Sequence, residues 1–238
     1  MPTAAVKSVS KTISESRRLL VVCGAGISTS GGVPDFKTLY QNDSHLGNAL
    51  HVQRYRRRQN YKALTKFLLS FSASQPTVAH KFLRVLHEQD RLLRCYTMNI
   101  DGLEAAVLPR DRIRAVHGLR SDPSRCGRGR VAAATMEKLA AADKLDEYNR
   151  TNACHLRPGF VMYGERARHI EELEYELRRA DLILCIGTRL QVDPIASLVR
   201  SFSNKVVCIN NEPVNRLRTI LGDCDSICGQ LIRALGSR

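Results

Sequence analysis

The chain has 238 residues, 43% of them hydrophobic, which is enough for a sizeable buried core and excludes wholesale disorder. Its formal net charge of +14 favours polyanionic partners such as nucleic acid or chromatin and says little about fold. No apolar run approaches the roughly 18–20 residues that a membrane-spanning helix needs.

Taken in chain order, the N-terminal stretch is basic and rich in Ser. It reads as a first helix rather than a targeting presequence, because Leu19-Leu20-Val21-Val22-Cys23 already forms the first core strand. Further apolar runs follow at 92–96, 182–186 and 206–209. Continuous apolar strands with helical patterns between them predict a parallel sheet buried on both faces. Two stretches break the alternation. Residues 39–91 are mostly helix formers, with an apolar face over 61–71. Residues 119–157 hold a Gly/Arg/Ser loop, an Ala-rich helical segment at 131–148 and an irregular approach to Arg157-Pro158. The expectation is one domain in two lobes: a sheet lobe from 1–38, 92–118 and 158–238, and a smaller lobe from the insertions 39–91 and 119–157.

Eight cysteines with no signal peptide do not read as a disulfide framework. Cys23, Cys95, Cys185 and Cys208 sit in or beside apolar runs, where Cys behaves as a small hydrophobe. Reduced thiols and an intracellular protein are expected. The cluster Arg54, Arg56, Arg57 and Arg58 reads first as a solvated helix face and second as a nucleic-acid contact. With no Trp and 5% aromatics, base-stacking platforms are poorly supplied.

Several segments carry chemistry. Gly24-Ala25-Gly26-Ile27-Ser28 follows the first strand, where Gly-x-Gly lets backbone approach a pyrophosphate whose charge suits the next helix N-terminus. Pro34-Asp35-Phe36-Lys37 comes shortly after. Met98-Asn99-Ile100-Asp101 follows the second strand, as polar residues entering a cleft or as an Asx turn. Ala115-Val116-His117-Gly118 holds a lone His, a residue type more often found satisfied in a core. The remaining segments are 157–165, Gly187-Thr188-Arg189 at the end of the third run, and Asn210-Asn211-Glu212 leading to Cys224. Active residues on parallel sheets gather at the carboxyl ends of strands, where both Gly turns fall.

In this order, these segments resemble the sirtuin family, whose motifs GAGIS, PDF, TQNID, VHG, RPxxVxxGE, GTSLxVxP and INxEP appear here in full or near match. Residues 76–104 are most similar to the fungal nuclear branch acting on histones. The resemblance implies an α/β fold: a Rossmann-like (DHS-like) NAD-binding parallel sheet with helices on both faces, plus the smaller lobe. It implies NAD as cofactor and an acyl-lysine peptide added as a strand between the lobes. Gly24, Ala25, Gly26 and Ser28 would cradle the pyrophosphate, and Phe36 would shield the nicotinamide. Asn99 and Asp101 would orient nicotinamide and its ribose, Gly187 and Thr188 would meet phosphate or ribose, Asn210 the adenosine ribose, and Cys224 would lie near the adenine. Ile27, Pro34, Asp35, Lys37, Met98, Ile100, Arg189 and Asn211 complete the implied set. His117 would be the general base on a ribose hydroxyl, a role suited to an imidazole with an ordinary pKa of about 6.5. The implied products are nicotinamide, O-acyl-ADP-ribose and free lysine.

The chain also departs from the family pattern. The family's structural zinc uses two Cys-x-x-Cys pairs after VHG. Here Cys126 occupies a first-pair position, its partner position is Gly129, and Cys154 and His155 lie just before Arg157. The expectation is a lobe that folds without metal, with Cys126, Cys154 and His155 as weak zinc candidates. Met98 replaces a Gln, Lys37 an Arg, and Arg189 a Ser. Three readings follow: an active NAD-dependent lysine deacylase, a weak or inactive NAD- or ADP-ribose-binding module, and a basic nucleic-acid-associated protein. A nuclear or cytoplasmic location is expected, nucleus preferred.

Overall fold

A computed structural model describes residues 3–33, 46–51, 53–54, 63–64, 67–70, 74–127 and 129–236. Pro34, Asp35, Phe36 and Lys37 lie outside the described residues, as do Arg56, Arg57 and Arg58.

The apolar runs form strands β1 (Leu19–Cys23), β2 (Leu92–Thr97), β6 (Leu182–Ile186) and β7 (Val206–Asn210). Two shorter strands that carry no continuous apolar run, β3 (Ile113–Ala115) and β8 (Arg218–Leu221), close the edges. The order is β3-β2-β1-β6-β7-β8, all parallel. This is a doubly wound sheet whose strand order reverses between β1 and β6, the place where such sheets bind nucleotides. Every β1 residue is buried, and successive side chains alternate between two cores. Leu19, Val21 and Cys23 point to one face, with Leu184 and Ile209. Leu20 and Val22 point to the other, with Tyr96, Ile183 and Cys208.

The first face is covered by α1 (Ala4–Glu15), α2 (Val78–Glu88) and α7 (Cys224–Gly236). In α1 the buried Val6, Val9 and Ile13 make one helical stripe, and the Thr3 side chain caps the start by accepting from the Val6 N–H. In α2 Thr77 and His80 form a reciprocal capping box. Asp225, in the first turn of α7, accepts from the Ala79 N–H at 2.8 Å and so ties the two helices together. The second face is covered by α5 (Ile170–Arg179) and α6 (Ile195–Arg200). Acidic Glu171 and Glu172 open α5 and Arg178 and Arg179 end it, matching the helix dipole. Its buried Glu176 accepts from the Tyr96 hydroxyl at 2.7 Å and pairs with Arg94 at 2.9 Å.

A separate core gathers Leu64, Phe67, Met136, Leu145, Leu156 and Phe160. It contains a β4–β5 hairpin (Ser124–Cys126, Gly129–Val131), α3 (Ala133–Ala141) and α4 (Leu145–Thr151). The helix expected over 131–148 is therefore two helices, parted at Asp143, whose φ of 54° is left-handed. Of the apolar stretch 61–71, the described residues 63–64 and 67–69 are helical, with Ala63, Leu64, Phe67 and Leu68 buried. The helix Val78–Glu88, assigned above to the small lobe, instead packs Ala79, Phe82, Leu83 and Leu86 into the first sheet core. Composition could not reveal this, because an amphipathic stripe names no partner.

The expectation of reduced thiols fails at one pair. Cys126 and Cys154 are joined as a disulfide across a Cα–Cα distance of 5.8 Å. Backbone bonds between Arg125 and Arg157, at 2.8 and 2.9 Å, bring the hairpin and the chain after α4 together. The sequence separation of 28 hid this proximity. Cys23, Cys95, Cys185, Cys208, Cys224 and Cys228 are free and buried.

Candidate functional site

The carboxyl ends of β1 and β6 interlock. The Gly26 N–H donates to the Gly187 carbonyl at 2.9 Å, and the Gly187 N–H to the Ile209 carbonyl at 3.0 Å. A Cβ on Gly26 would lie 2.8 Å from the Gly187 Cα. One on Gly187, whose φ is +64°, would lie 2.3 Å from the Ile27 nitrogen. Only glycine fits at either position. The β1 turn continues as short 3-10 turns, Ala25–Ile27 and Thr29–Gly31, in place of the α-helix expected to open there.

Beyond these turns lies a cleft of about 980 Å³. Gly24, Ala25, Gly26, Gly187, Thr188 and Arg189 line one side, and Asn210 and Asn211 the end of β7. Met98, Asn99, Ile100 and His117 line the side beyond β2 and β3. Ile27 and Ser28 are fully buried beneath the turn. Cys224 is buried behind β7, with its thiol 3.8 Å from the Ile209 carbonyl, and does not line the cleft. Burial and the nearby Asp223 and Asp225 push its pKa up to about 12, so it stays a thiol.

Backbone and buried polar groups set the orientations. The Asn99 amide donates to the Gly24 carbonyl at 3.1 Å and to Ser28 Oγ at 3.4 Å. The Asn99 N–H donates to Thr97 Oγ1 at 3.1 Å, and the Thr97 hydroxyl donates to Glu104 Oε1 at 2.6 Å. Glu104 therefore fixes the hydroxyl that fixes Asn99. Burial, followed by the charge of Asp101, pushes the Glu104 carboxyl up to about 7. Asp101 is itself raised by burial, while its Oδ1 accepts from the Leu103 N–H at 2.9 Å. Asp101 Oδ2 and Glu104 Oε2 are buried without a hydrogen-bond partner. Motif reading missed Thr97 and Glu104. The one signal available was that both flank the Asn99–Asp101 segment.

His117 sits at the cleft with Nδ1 2.8 Å from the Met98 carbonyl. A carbonyl only accepts, so Nδ1 carries the proton and Nε2 keeps the lone pair. Burial holds its pKa below the ordinary imidazole value, leaving the ring neutral at pH 7. The Met98 backbone supplies this contact, so the Gln-to-Met change leaves the orientation of His117 intact. The Met98 side chain is buried in the second sheet core.

The segment 157–165 forms the opposite wall. The Val161 N–H donates to the His117 carbonyl at 2.6 Å, and Phe160, Met162 and Tyr163 line the cleft. Exposed Tyr163 and Val192 stand at its mouth. Arg189 pairs with Glu212 at 2.9 Å, and the Asn210 amide donates to the Glu212 carbonyl at 2.9 Å.

The glycine cradle and Asn99 at the cleft fit a dinucleotide cofactor; Asp101 is not among the residues that line the cleft. The residues that the small lobe offers do not fit a structural zinc. Cys126 and Cys154 are bonded to each other, Gly129 has no ligand atom, and no group of three His, Cys, Asp or Glu among the described residues is placed to hold a metal ion. Among the described residues no helix is long and apolar enough to cross a membrane.

Comparisons with known proteins agree with this geometry. The Sir2 family matches residues 24–194. The NAD-dependent protein deacetylase hst2 of Schizosaccharomyces pombe is 33% identical over 97% of this chain and 76% of its own length. The NAD-dependent histone deacetylase SIR2 of Candida albicans is 29% identical over 94% of this chain, which spans about half (48%) of that longer protein. A solved structure of Sir2 with an inhibitor, 2'-O-acetyl-ADP-ribose and a deacetylated peptide superposes with a TM-score of 0.80 at 22% identity, over 98% of this chain and all of that one. That similarity establishes the Rossmann-like α/β fold. The match across most of the chain, together with the identity to hst2, shows that the chain belongs to the Sir2 family.

Proposed function

We propose that this protein is an NAD-dependent protein-lysine deacylase, with His117 as general base and NAD bound between the two Gly turns and Asn99–Asp101. The carrying observation is the orientation of His117: a neutral, half-buried imidazole at the cleft, its Nδ1 proton committed to the Met98 carbonyl and its Nε2 left to accept a proton. When bound, NAD supplies an activated glycosidic carbon and the ADP-ribose that accepts the acyl group. Gly24, Gly26 and Gly187 bring backbone close to its phosphates. Asn99, held by Gly24 and Thr97, orients the nicotinamide end. Phe160, Met162 and Tyr163 exclude water from the reacting side.

The substrate is a basic, acyl-lysine-bearing peptide of the histone-tail type. Among the described residues, the segments directly following the six strands carry two arginines, Arg120 and Arg189, and Arg166 also lines the cleft. Beside the buried, proton-holding Glu104, six acids stand against these: Asp101, Asp122, Asp193, Glu212, Asp223 and Asp225. That surplus suits a lysine-rich chain, and Tyr163 and Val192 offer apolar contact at the mouth. A histone target places the protein in the nucleus, in keeping with its net charge of +14.

The test is to incubate the full chain with NAD and an acetyl-lysine histone peptide and to quantify nicotinamide and O-acetyl-ADP-ribose. His117→Ala should lower kcat/KM by about 10²–10⁴-fold with ADP-ribose affinity retained. Neutral His117 is the active form and its pKa lies below the ordinary value, so activity should persist to slightly acidic pH and fall below it. An undiminished His117→Ala enzyme overturns the reading. Tight ADP-ribose binding with no turnover on any acyl peptide moves it to a binding module.

A further inference from the structure

The six strands run parallel, so every amino end lies on one face of the molecule and every carboxyl end on the other. The segments entering the strands are strongly basic. From the β3 edge to the β8 edge they are Arg110 and Arg112, then Arg91, Arg17 and Arg18, Arg178 and Arg179, Lys205, and Arg216 and Arg218. These ten cations meet only Asp90, Asp111 and Asp181 within the same segments, whereas the segments leaving the strands carry the acidic surplus described above. The chain is thus polarised along its strand direction. Nothing in the cofactor site requires this, since the basic end lies a full strand length away.

Not all ten cations are available. Arg91 donates to the carbonyls of Ile13, Ser14 and Ser16 at the end of α1, and Lys205 to the carbonyl of Ala180. Arg18 pairs with Asp181, Arg112 with Asp111 and Arg178 with Glu174, while Arg218 donates to Ser8 Oγ. Arg17, Arg110, Arg179 and Arg216 are exposed and meet no carboxylate among the described residues; Arg179 rests over the Tyr175 ring at 5.2 Å. These four occupy both edges and the middle of the rim. With strands about 4.8 Å apart, the rim extends about 24 Å.

We propose that the amino-end rim of the sheet is a docking surface for the phosphate backbone of double-stranded nucleic acid, bound without sequence preference. A duplex presents about one charge per 1.7 Å in a rigid line, so the rim covers about seven base pairs. Arginine forks suit phosphate oxygens. Among the described residues, Tyr175 is the one exposed large apolar side chain near the rim, and Arg179 lies over its ring at 5.2 Å. A single tyrosine is too little for a wedge into a lipid surface or a stacking platform for single strands. The rim lies at the opposite end of the strands from the cleft, so a duplex docked on it leaves the cleft open to a substrate. This inference stands independently of the deacylase reading.

The experiment measures binding of the full chain to a mixed-sequence duplex of about 30 base pairs by fluorescence anisotropy across a salt series. A rim variant (Arg17→Gln, Arg110→Gln, Arg179→Gln, Arg216→Gln) is compared with a charge-matched variant on the hairpin and helices of the small lobe (Arg125→Gln, Arg130→Gln, Lys138→Gln, Arg150→Gln). Both are checked for an unchanged Tm and ADP-ribose affinity. The rim variant should bind about 10- to 100-fold more weakly and lose about 4 units from the log–log salt slope, with the small-lobe variant near wild type. Equal losses in both variants would reduce the effect to net charge and overturn the assignment. So would wild-type affinity weaker than about 10⁻⁴ M at physiological salt. Unchanged duplex binding by the rim variant, with loss of binding to anionic vesicles or to polyglutamate, would assign the rim to that other partner instead.

Discussion

The two ends of the sheet are made by the same six strands, yet they obey different constraints. At the carboxyl ends the turns after β1 and β6 press backbone against backbone, and a single added carbon at Gly187 would stand 2.3 Å from the Ile27 nitrogen. At the amino ends most of the entering cations are exposed, and all six entering segments carry arginine or lysine. The carboxyl end is specified by close approach and by buried hydrogen bonds such as Asn99 to Gly24 and Thr97 to Glu104. The amino end has bonds of its own, such as Arg91 to the carbonyls of Ile13, Ser14 and Ser16, but its exposed arginines are distinguished by charge and not by close approach. A parallel topology makes that division of labour possible, because it never brings an entering segment beside a leaving one.

The comparison is sharpened most by Gly187→Ala. Displacing this turn by an ångström should cost the cleft about a hundredfold or more in ADP-ribose affinity by titration calorimetry. A single rim change such as Arg110→Gln should leave that affinity unaltered. Equal effects of the two would break the distinction.

Glu104 gives a smaller effect with a defined pH signature. Its carboxyl is raised towards about 7, so the folded state holds the proton more tightly than the unfolded state. The cost of ionising it grows as pH rises from the ordinary carboxylate range to about 7 and then levels off. Glu104→Gln removes that cost and keeps an acceptor for the Thr97 hydroxyl. Its stability relative to wild type should therefore rise between pH 5 and 8, on the order of 2 kcal/mol or several degrees in Tm. The difference between the two proteins is the quantity to measure. Buried His80, lowered to about 4, works the opposite way in the wild-type profile, losing stability as pH falls below about 6.5. A Gln–wild-type difference that stays flat with pH would show that Glu104 is ionised throughout.

The smallest effect at the cleft should come from Cys126→Ser with Cys154→Ser, or from reduction. Closing this loop is worth about 2–4 kcal/mol to the chain, so Tm should fall. Because the bond ties the hairpin to the end of α4, outside the sheet, ADP-ribose affinity should hold within about twofold. A large loss of affinity would couple the small lobe to the cofactor site more tightly than its separate core implies.

Much of the carboxyl end was legible beforehand because its constraints are local. Gly24, Gly26 and Gly187 announce a turn that tolerates no side chain, and continuous apolar runs announce strands buried on two faces. The edge strands β3 and β8 were not legible. Half-exposed and only three and four residues long, they carry no apolar run to distinguish them from loops. Thr97 and Glu104 were missed because their part is played behind the cleft, through a hydroxyl and a buried carboxyl. Pro34, Asp35, Phe36 and Lys37 lie outside the described residues.

By itself the sequence determined the central strands and the Gly turns that follow them, since each follows from residue type and spacing within a few residues; His117 as candidate base came from the resemblance to the sirtuin family. Tertiary structure alone decided three things. It paired Cys126 with Cys154, assigned the helix Val78–Glu88 to the sheet, and gathered the scattered strand-entry arginines on one face. All three depend on contacts between residues far apart in the chain, which only the order and direction of the strands bring together.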